Sequence, residues 1–361
     1  MSDAVGGSAD SGEAASAAAP SRVTLSDVAK QAGVSIATVS YVMNERGGVG
    51  EQTRANVLRI ADELGFRLNR VASGLRTGRT QVLGLVLADI TNPFYPEIAG
   101  GVIQAAAEAG FQVFLSHGGT EGGLDGEIVR ALCDHQCGAL IFTSLVVSDG
   151  PLLSEVVPPD VPIVQTVRRI PGIRADFVGI DDRAGAREEA QHILDLGHRD
   201  IAILAGPSAS SASSERTAGY REALAEAGIE LSPESVLECS LTADAGYRAA
   251  QQLLEPGPHL PTAVLCGNDL IALGAVDAFL AHGLSVPEDV SVAGYDDIWF
   301  ASSRLVQLTT VRQPRHEMGR AAVSLALERL ADPDLPPRDV IMEHGLVVRR
   351  TTTTARAGTT T

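Results

Sequence analysis

The strongest constraint on this chain lies in residues 24–44, TLSDVAKQAGVSIATVSYVMN, where two short capped helices are written around a glycine turn. Thr24 can cap the orphan amides and Asp27 follows three residues on, a capping box with Asp in the place of Glu. Leu25, Val28, Ala29 and Ala32 recur at i, i+3, i+4 and i+7 as one apolar stripe, and Gly33 can take the left-handed conformation that stops a helix. Ser35 caps a second helix whose Val39, Val42 and Met43 face the first, leaving Ala37, Ser40 and Tyr41 outward and Ile36 undecided. By spacing alone this is equally an ordinary helical hairpin or the hairpin of a DNA reader.

The following residues tip that balance. A third amphipathic helix is expected over 53–64, with Val57, Ile60, Ala61 and Leu64 on one face and Gly65 as its stop. Across 21–80, nine Arg or Lys oppose five Asp or Glu, in a chain whose net charge is -17. A basic three-helix head on an acidic body seeks phosphate with the head alone, because the body repels it.

These residues carry a resemblance. The run 23–44, then Glu51-Gln-Thr-Arg, Glu63-Leu-Gly-Phe and Asn69-Arg-Val-Ala-Ser-Gly-Leu-Arg-Thr-Gly-Arg, is similar to the start of a LacI/GalR-family transcriptional repressor. The likeness continues to about residue 350 through Asn92-Pro-Phe-Tyr, Leu204-Ala-Gly-Pro, Arg216-Thr-Ala-Gly-Tyr, Gly267-Asn-Asp-Leu-Ile-Ala-Leu-Gly-Ala, Val292-Ala-Gly-Tyr-Asp-Asp and Leu308-Thr-Thr-Val-Arg-Gln. Each string is weak alone; their order and spacing are specific. The resemblance implies a homodimeric regulator, a repressor first of all, that binds palindromic double-stranded operator DNA under the control of a small-molecule effector.

The implied plan has a loose tail at 1–20, a helix-turn-helix headpiece at 21–67 and a hinge helix and linker at 68–80. An α/β two-lobed periplasmic-binding-protein-like domain follows at 81–350, with a loose Thr-rich end at 351–361. Within the headpiece the family's base-reading positions fall on Ile36, Ala37 and Tyr41, types that favour thymine methyls and shape over bidentate guanine contacts. Thr24, Ser35, Thr38, Ser40 and Asn44 are the candidates for phosphate positioning or capping. In the hinge, the resemblance has Leu75 wedge into the minor groove, Ala72 pack across the dimer axis, and Arg70 and Arg76 meet phosphate or groove floor. Leu68 replaces the usual proline before this helix.

From residue 81 onward, apolar strand-like runs at 82–88, 111–116, 138–143, 161–167, 177–180, 201–205, 263–266 and 290–294 alternate with amphipathic helices. That is the pattern of parallel sheets covered on both faces, and so many strands need two doubly wound sheets. By resemblance the N-lobe takes about 81–167 and 313–342 and the C-lobe about 168–312 and 343–350, with crossovers near 167, 312 and 343. Ligand binds in the cleft between them, outside the carboxyl ends of the strands.

Loops after strands supply the cleft candidates: Asp89, Phe94 and Tyr95; Arg216; Asn268 and Asp269; Asp296 and Asp297. An aromatic face, a guanidinium and carboxylate or amide groups suit a polyhydroxylated ligand. The resemblance supports Phe94, Tyr95, Arg216, Leu241, Asn268, Asp296 and Gln313 as effector contacts. The alternatives are that Phe94 and Tyr95 are core, that Asn268 or Asp269 only caps the following helix, and that Arg216 and Asp296 form a structural ion pair. Leu241 stands where several relatives place a stacking aromatic and Val167 where many have Asp. A sugar-like effector is the first expectation, and the two departures suit a smaller or less polar one.

Several classes are disfavoured. Four cysteines without a secretory signal point to reduced thiols; Cys133 and Cys137 flank His135 one helical turn apart, but no further tetrahedral metal ligands are evident nearby. No apolar run approaches the roughly 20 residues of a membrane span, so the expectation is a cytoplasmic protein without membrane partner, metal or cofactor. A periplasmic-type solute-binding protein is the alternative, but it needs a secretion signal and has no basic head. An enzyme is not expected, since nucleophile-elbow, phosphate-loop, zinc-protease and dinucleotide motifs are missing. The end lacks the heptad helix of a tetramer, which leaves a dimer.

Overall fold

The computed structural model describes residues 23–43, 47–66, 81–118, 123–255 and 260–356, and the chain divides into two units, Met1–Gly78 and Arg79–Thr361. In the first, three helices α1 (Leu25–Ala32), α2 (Ile36–Met43) and α3 (Glu51–Glu63) close around Val28, Ala29, Val39, Val42, Val57, Ile60 and Ala61. The capping box is formed: Thr24 donates its N–H and hydroxyl to Asp27 Oδ2 at 2.8 and 2.7 Å, and Asp27 N–H returns to Thr24 Oγ1 at 3.4 Å. Gly33 ends α1 at φ 68°, and Ser35 Oγ accepts from Thr38 N at 3.1 Å to start α2. Asn56 and Arg54 of α3 donate to the backbone oxygens of Ala32 and Val42, tying all three helices together. The third helix begins two residues earlier than its apolar spacing indicates, from Gly50.

The second unit is built on two six-stranded sheets with helices packed on them. Its elements are β1 (Val82–Leu87), α4 (Phe94–Glu108), β2 (Gln112–His117), α5 (Gly126–Asp134), β3 (Ala139–Phe142), α6 (Gly150–Val156), β4 (Ile163–Thr166) and β5 (Asp176–Ile180). Then come α7 (Asp182–Asp195), β6 (Ile201–Ala205), α8 (Ser211–Glu226), β7 (Val236–Glu238), α9 (Ala243–Leu253), β8 (Ala263–Cys266), α10 (Asp269–Ala281) and β9 (Ser291–Asp296). β10 (Thr309–Arg312), α11 (Arg315–Ala331), β11 (Asp339–Met342) and β12 (Gly345–Val347) complete it. One sheet runs β11-β5-β4-β3-β1-β2, all parallel; the other runs β12-β10-β9-β8-β6-β7, parallel except for the β10–β12 pair. The central strands are buried throughout, which is why they read as unbroken apolar runs.

The lobes exchange chain at three places, and the first differs from expectation. β5 pairs in parallel with β4, Val164 opposite Asp176, so the chain leaves the first lobe after Ile180 rather than near 167. A buried ion pair fixes this: Asp176 at the head of β5 receives Arg329 of α11 at 2.7 and 2.9 Å and the Arg338 N–H at 2.8 Å. The helix α11 packs on α4 so closely that a Cβ on Gly101 would strike the His316 carbonyl, and one on Gly319 the Ile98 carbonyl. Glycine is required there for backbone approach, and the approach seats the late helix in the first lobe.

The Thr-rich end is also not loose as far as residue 356. Thr351 is buried; its carbonyl accepts from Val292 N at 2.7 Å and its hydroxyl from Thr309 N at 2.9 Å. Thr353 N–H donates to Ser291 Oγ, its carbonyl meets His198 Nε2 at 2.9 Å, and Thr352 Oγ1 meets His192 Nε2 at 3.0 Å. Short hydroxyl side chains can knit a strand end through polar bonds without leaving an apolar signature. No helix among the described residues is long and apolar enough to cross a membrane. Deleting everything after Arg350 is expected to destabilise the second unit by about 2–5 kcal/mol, from several lost hydrogen bonds near 1 kcal/mol each. Equal urea midpoints for truncated and full chains would contradict this role.

Candidate functional site

On α2 the three expected base-reading side chains are free of the core: Ile36 is 51% and Tyr41 46% exposed, and Ala37 is exposed beside them. Exposed isoleucine and tyrosine on a helix of eight residues have no packing reason to be there. Thr24 and Ser35 cap the helix starts, and Thr38 is held by Ser35 through its N–H and hydroxyl. Ser40 corrects the sequence reading. It is buried, because α2 packs against both α1 and α3 and its inward stripe is wider than Val39 and Val42 alone. Asn44, Arg70, Ala72, Leu75 and Arg76 lie outside the described residues.

In the second unit a cavity of about 420 Å³ opens between the lobes. Its floor is built from the carboxyl ends of β1, β3 and β4 on one side (Ala88, Asp89, Asn92, Val146, Arg168) and of β6 and β7 on the other (residues 207–210 and 238–242). In each sheet this is where strand order reverses, around β1 and around β6, the position at which neighbouring loops diverge and leave a crevice. The volume lies in the range of small-molecule sites. Behind it is a water-sized space of about 10 Å³ lined by Phe94, Tyr95, Val167, Arg168, Ser210, Arg216, Leu241, Asn268 and Asp296. The partition between the two is Asn92, Tyr95, Arg168, Ser210 and Leu241, which line both.

Arg216 anchors the inner wall. It enters from α8, donates Nε to Asp182 Oδ1 and Nη1 to the Gly267 carbonyl, both at 2.8 Å, and lies 3.2 Å from Asp296 Oδ1. Its guanidinium also stacks 3.8 Å above the Tyr295 ring. Burial works against its charge, but the two carboxylates more than offset this and its pKa rises. Asp296 is pushed up to about 6 by burial, against the pull of Arg216 and Arg315. Arg216 and Asp296 are thus both an ion pair and part of the lining.

The remaining candidates divide. Phe94 and Tyr95 are buried edge-to-face, 5.1 Å apart, yet both reach the inner space. Asn268 lines it too while Oδ1 caps α10, accepting from Ile271 N at 2.9 Å. Gln313 is not on either lining; it donates to Asp296 Oδ1 at 2.8 Å from behind. Asp269 is bound by Thr310 and the Ile298 N–H, and Asp297 by Arg312 and Arg349, so both are structural. Asp89 borders the outer cavity while Oδ1 accepts from Thr91 N–H and hydroxyl. Sequence reasoning missed Asn92, Arg168, Ser210, Glu238, Ser240 and Thr242 on the lining. Positions next to Val167 and Leu241 were in view, and the loop ends of β4 and β7 were the signal available.

Two backbone outliers mark this wall. Val167 has φ 66° and Asp296 φ 114°, conformations side-chain-bearing residues rarely adopt. Arg168 N–H donates to Thr166 O across Val167, a tight three-residue turn at the end of β4. No group of three or more His, Cys, Asp or Glu among the described residues is placed to hold a metal ion, and burial pushes the Cys137 thiol up to about 11.

Glu189 lies fully buried behind this wall; Tyr220 donates its hydroxyl to Oε2 at 2.5 Å, and Oε1 has no partner among the described residues. Burial raises its pKa well above 4.5. The folded chain therefore holds a proton that the unfolded chain releases above about pH 4.5, and this group's contribution to stability falls as pH rises toward the folded value. Glu189→Gln removes that component. The wild-type loss of unfolding free energy between about pH 5 and about pH 8 is expected to shrink in the variant, measured by urea titration; an unchanged difference would exonerate Glu189.

Comparison with known proteins adds direct evidence. Residues 24–69 match the model of bacterial regulatory proteins, lacI family, and residues 190–352 that of a periplasmic binding protein-like domain. The HTH-type transcriptional regulator DegA of Bacillus subtilis is 32% identical over 333 residues, covering 92% of this chain and 98% of the relative. The regulator CelR of Thermobifida fusca is 36% identical over 337 residues, covering 91% and 98%. Among solved structures, a lac repressor dimer bound to operator and the anti-inducer ONPF superposes with TM-score 0.81 at 30% identity, covering 92% of this chain and all of that one. A transcriptional regulator CelR–cellobiose complex gives 0.69 at 36%, covering 91% and 100%.

Proposed function

The chain belongs to the lacI family of bacterial regulatory proteins, DNA-binding transcriptional regulators, and on that premise we propose that it is a repressor that grips an inverted-repeat operator as a homodimer and is controlled by a sugar-like effector in the interlobe cavity. The observation that carries this reading is the pairing of two features in one chain: an exposed Ile36–Tyr41 face on a capped second helix, and a cavity at the switch points of two sheets. The solved relatives support its parts: one is a repressor dimer on operator, another a regulator with cellobiose, another carries ribose. Exposed Trp299, Phe300 and Leu305 after β9 supply apolar surface suited to a second copy.

The DNA arm follows from the chemistry of α2. Ile36 and Ala37 offer methyl contacts and Tyr41 a ring and a hydroxyl, so half-sites rich in thymine at the contacted positions are expected. Two heads related by a two-fold axis read half-sites in opposite orientation. Selection from random DNA with the full-length protein should return an inverted repeat. Affinity for it should fall steeply with salt, and Tyr41→Ala should weaken it about tenfold while nonspecific binding barely changes. A selected direct repeat, or salt-independent binding, would defeat the proposal.

The effector arm needs a gentler variant than removal of Arg216. Arg216→Ala leaves Asp182 and Asp296 buried without their counter-charge, a loss of about 3–5 kcal/mol that would confound any binding assay. Asp296→Asn keeps shape and one acceptor. Because ionised Asp296 is the better acceptor for ligand hydroxyls, effector affinity in the wild type should decline as pH falls through about 6 and be nearly flat in Asp296→Asn. Calorimetric titration at a series of pH values checks this, and parallel profiles would remove Asp296 from the site.

A further inference from the structure

Three arginines are buried among the described residues: Arg168, Arg216 and Arg329. Arg216 is held by Asp182 and Asp296, and Arg329 by Asp176. Arg168, 6% exposed, has no carboxylate within 4.0 Å among the described residues; its guanidinium has one hydrogen-bond partner there, the Tyr95 hydroxyl at 3.0 Å from Nη2. A guanidinium stays charged and carries five donors, and here those not used by Tyr95 are left to the cavity rather than to protein acceptors. The chain accepts strain to hold it there, since the turn at Val167 with φ 66° directs the residue into the cavity wall. Arg168 borders both the outer cavity and the inner space, so its remaining donors face the volume a ligand would fill.

The groups around it narrow the ligand. Asp89 from one lobe and Glu238 from the other are acceptors on the same lining, and Ser208, Ser210, Ser240 and Thr242 carry groups that can donate and accept. A carboxylate or phosphate ligand would satisfy Arg168 and oppose both acids. A hydroxyl suits all three groups, donating to the carboxylates and accepting from the guanidinium.

We propose that Arg168 is the specificity-determining residue of the effector site, donating to two neighbouring hydroxyl oxygens of a neutral sugar while Asp89 and Glu238 turn away its anionic counterparts. This rests on the reading of the interlobe cavity as the effector site. When the sugar enters, Arg168 exchanges or shares its Tyr95 contact for ligand oxygens, and the partition between the two spaces opens toward Arg216.

The test uses the full-length protein and four neutral probes, cellobiose, maltose, glucose and ribose, with glucuronate and glucose 6-phosphate as anionic matches. Thermal shift identifies binders and calorimetry gives Kd for wild type, Arg168→Gln, Arg168→Lys and Leu241→Trp. At least one neutral probe should stabilise the wild type and neither anion should match it. Arg168→Gln should lose about tenfold or more in affinity and Arg168→Lys recover only part, because an ammonium cannot fork across two oxygens. Without ligand, Arg168→Gln should melt within a few degrees of the wild type, since the protein contact at stake is the single bond to the Tyr95 hydroxyl. A ligand-free Tm several degrees lower would make Arg168 structural and overturn the proposal. So would unchanged affinity in Arg168→Gln, or a panel in which only the anions, or no neutral sugar, bind. Leu241→Trp fills the partition and separates the two failures: if it blocks a probe that Arg168→Gln still binds, only the role of Arg168 falls, whereas if neither variant matters the cavity is not the effector site.

Discussion

The buried cluster of Arg216, Asp182 and Asp296 is the interaction on which the second unit turns. One guanidinium from α8 joins the start of α7 and the end of β9, and the Tyr295 ring beneath it fixes its plane. Desolvating these groups costs several kcal/mol per ion, so the cluster holds only while each charge keeps its partners. Gln313 and Arg315 supply further ones: Gln313 donates to the Asp296 carboxylate, and Arg315 donates to the carbonyls of Asp296 and Asp297 while pairing with Glu97 at 2.7 Å. Arg315 begins a helix of the first lobe. The inner wall of the cavity is therefore wired to both lobes through one strained residue, Asp296.

That wiring gives a molecule bound in the interlobe cavity a physical means to alter the relation of the lobes. A ligand shifts an equilibrium only by binding one state better than another. Here the lining includes Asp89, Tyr95 and Arg168 from the first lobe and Ser210, Glu238 and Leu241 from the second, so a filled cavity favours one separation of the two walls. Direct ties across the cleft include polar ones, such as Arg169 N–H to Ser211 Oγ at 2.9 Å and Arg315 to the β9 end, and apolar ones, with Ala212 and Ile298 packed into the first-lobe core. The polar ties re-form at modest net cost.

Much of this was legible in the sequence because buried parallel strands and capped helices leave strong local signals. The Thr24–Asp27 box, the Gly33 stop, the Val39–Val42 face and the eight apolar runs all follow from period and capping. What stayed hidden was decided by long-range pairing. β7, β11 and β12 are short edge strands with half-exposed residues, and β10 reads Thr-Thr-Val-Arg, so none shows an unbroken apolar run. The crossing after Ile180 depends on Asp176 meeting Arg329, 153 positions away in the chain. Ser40 was read outward because a helix packed on two neighbours has a wider buried face than one stripe implies. Among cleft residues, Arg216 and Asp296 were visible from their loops, but Arg168 was masked by its unremarkable neighbours, and only burial without a counter-charge sets it apart.

Strain gathers at the ends of two strands that border the cavity. Val167 after β4 and Asp296 and Asp297 at the end of β9 all have positive φ without being glycine, each an expense of order 1–3 kcal/mol that the surrounding bonds must hold in place. A glycine would adopt these angles freely but could supply neither a carboxylate for Arg216 nor a buttress beside Arg168. At Asp297 the restraint is visible: Arg312 and Arg349 grip its carboxylate at 2.7 and 2.6 Å, and Thr310 Oγ1 accepts its N–H. Val167 has only its backbone bonds, to Val178 O and across the turn, and its side chain is buried. The β4 turn is thus the less restrained of the two, and it carries Arg168, the one buried arginine among the described residues without a carboxylate partner. A ligand that supplies acceptors there adds restraint where the fold itself supplies least.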